Sequence, residues 1–151
     1  MAGRWLMTMG IATLPVLELR AAIPAGVAAG LPPWQAFIAA VIGSMLPVPL
    51  IMLLIRRVFA WLRGSAWWGP RIDRLEERAR RKGGAIRRYC LPGLVLLAAI
   101  PLPGAGAWTG ALVAELMDIR MREAIPAIFV GVVIAGALIT ALTYGVSAMV
   151  T

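Results

Sequence analysis

The lengths of the uncharged stretches constrain this chain most, because several are too long or too short for one membrane crossing. Residues 21–55 carry no charged side chain. A spanning helix needs about 20 apolar residues, whereas stretches of about 10–14 are more typical of re-entrant or interfacial segments. Proline removes an amide donor and restricts the residue before it, so Gly30-Leu31-Pro32-Pro33 divides the stretch. This division predicts one full span over residues 34–55 and a short piece before it.

The short pieces at the start of the chain predict a hairpin. The first runs from Trp5 to Leu17 and the second from Ala21 to Leu31, with the charged segment Glu18-Leu19-Arg20 between them. Arms of this length reach only about 15–20 Å, short of a roughly 30 Å hydrocarbon core. We therefore expect residues 5–31 to form a re-entrant hairpin. The alternative is that every arm is a tilted full crossing, with six crossings in all.

The second half of the chain repeats this plan. An uncharged stretch from Tyr89 to Ala114 is interrupted by Pro101-Leu102-Pro103-Gly104-Ala105-Gly106, which predicts a second hairpin over residues 91–117. A second full span is expected over residues 124–150. Interrupted hydrophobic segments at matching places in two repeats are typical of a transporter binding site. The predicted fold is an all-α integral membrane protein with two inverted repeats (residues 1–55 and 91–151), each a re-entrant helical hairpin followed by one full transmembrane helix.

The basic residues are concentrated in the segment between the two repeats. Hydrophobic residues make up 61% of the chain, and eleven of its fifteen basic residues lie within residues 56–88. By the positive-inside rule this predicts a cytoplasmic loop over residues 56–90, with a short amphipathic helix at 71–82. Both termini then lie on the outer side of the membrane. We expect that membrane to be the inner membrane of a bacterial or archaeal cell. Trp61, Trp67 and Trp68 are typical of an interfacial aromatic belt.

The composition also excludes several classes of function. The chain has no histidine, which excludes a histidine triad and a HExxH zinc site, and its one cysteine, Cys90, excludes an intrachain disulfide. We expect no metal and no cofactor. The spacing of Glu18, Glu115 and Asp118 suggests no reaction, so an enzyme is not expected. Because the excess positive charge is confined to the loop, membrane lipids rather than nucleic acid are the expected partners.

The second break predicts a place where a ligand binds at membrane depth. Irregular backbone survives there only where protein or a water-filled cavity satisfies it. Gly104 and Gly106 allow a tight turn, and a helix beginning near Ala107 would direct free N–H groups and its positive dipole end at the cavity. Trp108 and Thr109 add a flat apolar face and a hydroxyl. The pattern favours an anion site, with a packing kink as the alternative.

Glu18 and Arg20 are the ionisable residues expected to lie deepest in the membrane. Intramembrane charges cost at least ~2.5–3.5 kcal/mol, so they are functional candidates by default. We expect Arg20 to hold an anionic headgroup and Glu18 to couple protons, with a mutual ion pair that pins the tip as the alternative. Glu115 is a second proton-coupling candidate, which Arg120 or Arg122 would neutralise.

Motifs at both breaks resemble those of a known family. They are Glu18-Leu19-Arg20-Ala21-Ala22-Ile23-Pro24 with Gly26, Gly30 and Pro32-Pro33, then Pro47-Val48-Pro49, then residues 100–111 from Ile100 to Ala111. The chain thereby resembles the family named Putative small multi-drug export protein. That family in turn resembles DedA-type (SNARE-associated, VTT) proteins, which pair inverted re-entrant hairpins and are linked to moving polyprenyl-phosphate or phospholipid. The resemblance adds four residues to the candidate substrate-binding set, namely Pro24, Pro101, Pro103 and Ala105.

These features together predict a secondary transporter or a flippase-like protein. An amphipathic, anionic, lipid-like substrate would bind between the two tips and change sides by alternating access, with proton coupling. A homodimer is expected, with Ala39-xxx-Gly43 and Gly131-xxx-Ala135 as close-packing faces. The alternatives are a small-molecule or multidrug exporter, and a membrane adaptor or assembly factor that acts through the polybasic loop.

Overall fold

The computed structural model describes residues 1–81, 83–101 and 105–150, with side chains except at 76, 79–80 and 83–87. The described residues form eight α-helices. They are α1 (Ala2–Thr13), α2 (Glu18–Ala28), α3 (Pro33–Met45), α4 (Pro47–Arg63), α5 (Gly69–Arg81), α6 (Gly83–Ala99), α7 (Ala107–Leu116) and α8 (Met121–Val150).

Two helical segments are long and apolar enough to cross a membrane. Helices α3 and α4 join at Leu46 into a segment of 31 residues, Pro33–Arg63, and α8 has 30 residues; both reach a mean hydropathy of 2.5. At about 1.5 Å per residue each exceeds the roughly 30 Å of a hydrocarbon core. Both predicted spans therefore lie inside longer helical segments, and the predicted all-helical class with two helices able to cross a membrane is confirmed for the described residues.

The outer surface of these two segments is apolar. Leu50 on α4 and Leu142 on α8 are 68% and 64% exposed, and many other large hydrophobic side chains are also exposed. Contiguous apolar surface of this extent is rare on soluble monomers. The exposed leucines are therefore placed where lipid chains would contact them.

The same order of elements occurs twice in the chain. In each half two helices precede a long one: α1 and α2 have 12 and 11 residues in the first half, and α6 and α7 have 17 and 10 in the second. Both α2 and α7 end in a left-handed residue, Gly30 (φ +92°) and Asp118 (φ +52°). The next amide then bonds back into the helix, from Leu31 to Gly26 and from Ile119 to Ala114, which is the Schellman pattern. These turns align when residue n is matched with residue n + 88.

The first break lies earlier in the chain than expected. It comprises residues 14–17, whereas Glu18-Leu19-Arg20 forms the first turn of α2. Pro15 accounts for the position, because proline ends the helix before it and restricts the preceding Leu14, which is extended (φ −73°, ψ 134°).

The predicted polybasic loop is instead largely helical. The last two turns of α4, all of α5 and the first turns of α6 lie within residues 56–90, and α5 begins at Gly69, two residues before the expected start, while residue 82 lies outside the described residues. Arginine is a good helix former, and an exposed pair between Glu77 and Arg81 (2.8 Å) adds i,i+4 support. Charge density predicted that the segment lies outside the membrane, which stays a prediction, and it carried no information against helix.

Small residues let the first arm of each half approach its long helix closely. Helix α1 packs on α3 and α6 packs on α8. A Cβ at Gly43 would lie 2.5 Å from the carbonyl oxygen of Met9, and one at Gly131 would lie 2.5 Å from the Cβ of Ala98. The small-residue faces predicted for a homodimer are therefore used within one chain, and the homodimer itself stays a prediction.

Replacing Gly131 by alanine should destabilise the protein, because the added methyl group would meet the backbone and Ala98 of α6. Overpacking of this kind costs about 1–3 kcal/mol. Gly145→Ala is the matched control, since it lies on the same helix with open space around it. Thermal unfolding of the purified protein in detergent should give a lower apparent Tm for Gly131→Ala and an unchanged or higher one for Gly145→Ala. Equal Tm values would contradict the close α6–α8 contact.

Candidate functional site

The two breaks meet in the interior, where Glu18 contacts the start of α7. The Ala107 N–H donates a hydrogen bond to Oε1 of Glu18 with an N···O distance of 2.6 Å. Glu18 is 5% exposed and has a left-handed backbone (φ +46°). The first amides of a helix have no partner within it, and its N-terminus is electropositive. A carboxylate from the first break thus caps the helix that follows the second.

Gly106 provides the space that this contact needs. It is the N-cap of α7, with φ +151°, a conformation that favours glycine. A Cβ built at this position would overlap the Glu18 carboxylate. The residue is therefore glycine for two reasons, its backbone angle and its neighbour.

Arg20 binds the carbonyl groups of the second break. Its Nη2 donates to the carbonyl oxygen of Ala105 at 2.7 Å and to that of Ile100 at 3.4 Å. Ile100 directly follows α6, where the last carbonyls of a helix lack partners and the dipole is negative. The guanidinium therefore supplies donors and positive charge where the backbone requires both.

Trp108 makes the corresponding contact in the opposite direction. Its indole N–H donates to the carbonyl oxygen of Thr13, the last residue of α1, at 3.1 Å. In the n + 88 alignment Trp108 matches Arg20, and Gly106 matches Glu18. Each half thus sends a donor from its second arm to the end of the other half's first arm. We call the bonds of Glu18, Arg20 and Trp108 across the breaks the tip clasp.

The tip clasp bears on the two alternatives left open for Glu18 and Arg20. Each side chain is directed at the second break and bonds there, rather than to the other. The Ala107 amide, which was expected to face a ligand, is occupied by Glu18 in this conformation. The substrate-binding and proton-coupling roles of these residues stay predictions.

The remaining predicted residues lie at varying distances from the clasp. Pro24 is half-buried within α2, Thr109 is half-buried on the first turn of α7, and Pro101 is exposed. Pro103 and Gly104 lie outside the described residues. Sequence reasoning missed Thr13, because its contribution is a backbone carbonyl, which has no signal in the sequence.

Glu115 lies apart from the clasp and has a different partner from the one expected. Nε of Arg56 on α4 donates to Oε1 of Glu115 on α7 at 2.9 Å, and the two side chains are 53% and 5% exposed. The predicted partners were Arg120 and Arg122. Arg56 was missed because it had been assigned to a loop, whereas α4 continues as a helix past it to Arg63.

Gly106→Ala should destabilise the protein, because the methyl group would displace the Glu18 carboxylate from the Ala107 amide. We expect a loss of about 1–3 kcal/mol in thermal unfolding, and little change in the control Gly93→Ala, where the position is open. A double variant with Glu18→Ala should lose less than the sum of the two single variants, since the overlap is then absent. Additive losses would contradict a direct Glu18–Gly106 contact.

Comparison with known proteins places the chain in one family. No curated protein and no solved structure matches it, and the further resemblance to DedA-type proteins stays a prediction. The family profile described as Putative small multi-drug export protein matches residues 18–138, which include the whole tip clasp except Thr13. Since the match covers far more than half of its length, the chain belongs to the small multi-drug export protein family.

Proposed function

We propose that this protein is a membrane exporter of small amphipathic molecules in which the tip clasp is the gate. The family description supports export of small molecules, the alternative that the sequence had left open. The proposal of a gate rests on the reciprocal hydrogen bonds between the two breaks, which join the two halves. A substrate that passes between the halves must separate these bonds.

The proposed arrangement in the membrane has two inverted halves. Helices α1, α2 and α7 have 10–12 residues and span about 15–18 Å, and α6 with 17 residues spans about 25 Å, so in this proposal the hairpin arms enter the bilayer and return. The basic segment 56–90 lies in the cytoplasm and both termini lie outside, following the positive-inside rule. The halves rock about the clasp, which gives alternating access in the manner of inverted-repeat transporters.

Glu18 is proposed to couple the gate to protons. As a carboxylate it accepts a charge-assisted hydrogen bond from the Ala107 amide, and protonation weakens that bond. Protonated Glu18 therefore favours separation of the tips, whereas the ionised form favours the closed clasp. Arg20 stays bonded to the carbonyl groups whether Glu18 is protonated or ionised. Glu18 is therefore the group whose titration controls the proposed gate.

The lipid-like substrate stays a prediction and is not the leading one. Binding of a lipid-like substrate requires Arg20 and the amides at the start of α7 to hold an anionic headgroup. In this conformation the Arg20 guanidinium binds two carbonyl groups, and the Ala107 amide binds Glu18. A headgroup would have to displace these contacts, whereas an exported molecule need only pass once they open.

The gate is tested by release of a dye from proteoliposomes. We expect Arg20→Ala to raise the release of ethidium without a pH gradient by at least tenfold, since a hydrogen bond to a charged group contributes about 1.5–3 kcal/mol. Glu18→Gln mimics the protonated residue and cannot titrate, so it should raise the leak and make the release independent of the pH gradient. Arg122→Ala, outside the clasp, serves as the control.

Two results would contradict this proposal. One is unchanged release in both clasp variants. The other is release that is lost only when residues 71–82 are removed, which would favour the adaptor function. Carboxyfluorescein, an anionic dye, is measured in parallel, and selective release of it would favour an anionic substrate.

The proposed topology is tested by single-cysteine labelling in a Cys90→Ser background with a membrane-impermeant maleimide. Trp34→Cys and Met149→Cys should react from outside, and Arg74→Cys from the cytoplasm. Val16→Cys, which lies at the first break, should react from the cytoplasm at least tenfold more slowly than Arg74→Cys. Equal rates at positions 16 and 74 would show that the arms cross completely.

A further inference from the structure

A cleft at the far end of α7 holds a buried carboxylate with a spare oxygen. The cleft has a volume of about 310 Å³ and lies between the last turns of α4 and the end of α7. It is lined by Arg56, Phe59, Ala60, Arg63, Glu115 and Asp118. Oε1 of Glu115 accepts from Arg56, whereas Oε2 is buried and has no hydrogen-bond partner among the described residues.

Oε2 of Glu115 therefore requires a hydrogen-bond donor. Leaving a buried charged acceptor unsatisfied is unfavourable, so buried polar atoms in native structures nearly always have a partner. Arg56 bonds through Nε alone, and its side chain is half-exposed. A single-point contact leaves the second carboxylate oxygen available to another cation, unlike the two parallel bonds of a forked arginine–carboxylate pair.

The surroundings define what that cation would be. Asp118 follows Glu115 by three residues, lines the same cleft and contributes a second negative charge, while Arg56 and Arg63 contribute two positive charges to the same lining. Phe59 provides an aromatic wall, and a smaller cavity of about 40 Å³, which shares Phe59, Glu115 and Asp118 with the cleft, is also lined by Ile72, Leu75 and Leu116. The volume of the cleft lies at the lower end of the range for small-molecule sites. Carboxylates flanked by apolar walls suit an organic monocation with N–H donors and an apolar body.

We propose that this cleft binds a small lipophilic ammonium or guanidinium compound, with its N–H groups on Oε2 of Glu115 and on Asp118 and its apolar body against Phe59. Arg56 remains on Oε1, so Glu115 is shared between an internal and an external cation. The role of this cleft as the cytoplasmic access point for an exported substrate rests on the proposed function. The binding itself does not.

The test is a binding measurement on the purified full-length protein in detergent. The probe is 4-fluorophenethylamine, observed by ¹⁹F NMR, and the matched neutral compound is 2-(4-fluorophenyl)ethanol. We expect the amine to bind at least tenfold more tightly than the alcohol. Glu115→Gln, which keeps the shape of the side chain, should weaken amine binding by at least tenfold, since a charge-assisted hydrogen bond is lost.

A second variant keeps the test decisive if Glu115→Gln does not fold. Asp118→Asn retains a residue that tolerates the left-handed conformation and should weaken amine binding about fivefold. Glu123→Gln, a carboxylate at the start of α8 outside the cleft, should leave binding unchanged. Equal binding of amine and alcohol, or amine binding that survives both cleft variants, would overturn the proposal. Binding that is lost as expected while the clasp variants leave dye release unchanged would overturn the gate and keep this site.

Discussion

The structure depends on how peptide groups at interrupted helices are satisfied where the surroundings are apolar. A helix that stops within a membrane leaves amides at one end and carbonyls at the other, each costly without a partner. Here the carboxylate of Glu18 meets an amide, and the guanidinium of Arg20 and the indole of Trp108 meet carbonyl groups. The interruptions can exist in each half because the other half supplies these partners.

This reciprocity explains why the two halves have different residues at matched positions. Glu18 corresponds to Gly106 in the n + 88 alignment, and the two occupy one contact, with the side chain of the first filling the space left by the second. Arg20 and Trp108 both donate to the end of a first arm, but only Arg20 is charged. In this alignment, charge therefore occurs at only one of the two matched positions.

Much of this could be predicted from the sequence, because breaks and long apolar runs are local signals. The charged segment Glu18-Leu19-Arg20 indicated the first interruption, which the structure places at residues 14–17, and prolines and glycines indicated the second, after which α7 begins at Ala107 as expected. The partners across the breaks could not be predicted, since Thr13, Ile100 and Ala105 take part through backbone carbonyls. Arg56 was overlooked because a dense run of arginines was interpreted as loop, although the helical preference of arginine allowed α4 to continue.

The close contacts of Gly43 and Gly131 have a consequence for how such a molecule can move. Helix α1 packs closely against α3, and α6 packs closely against α8, with little side-chain volume between the backbones. Each pair therefore forms one rigid body, because such tight packing opposes relative sliding of the helices. The two bodies meet where α2 and α3 contact α8 and where α4 contacts α7, and a Cβ at Gly136 of α8 would lie 2.7 Å from a ring carbon of Phe37 of α3. Under the proposed export function, these two bodies would be displaced against each other during transport, and neither would bend.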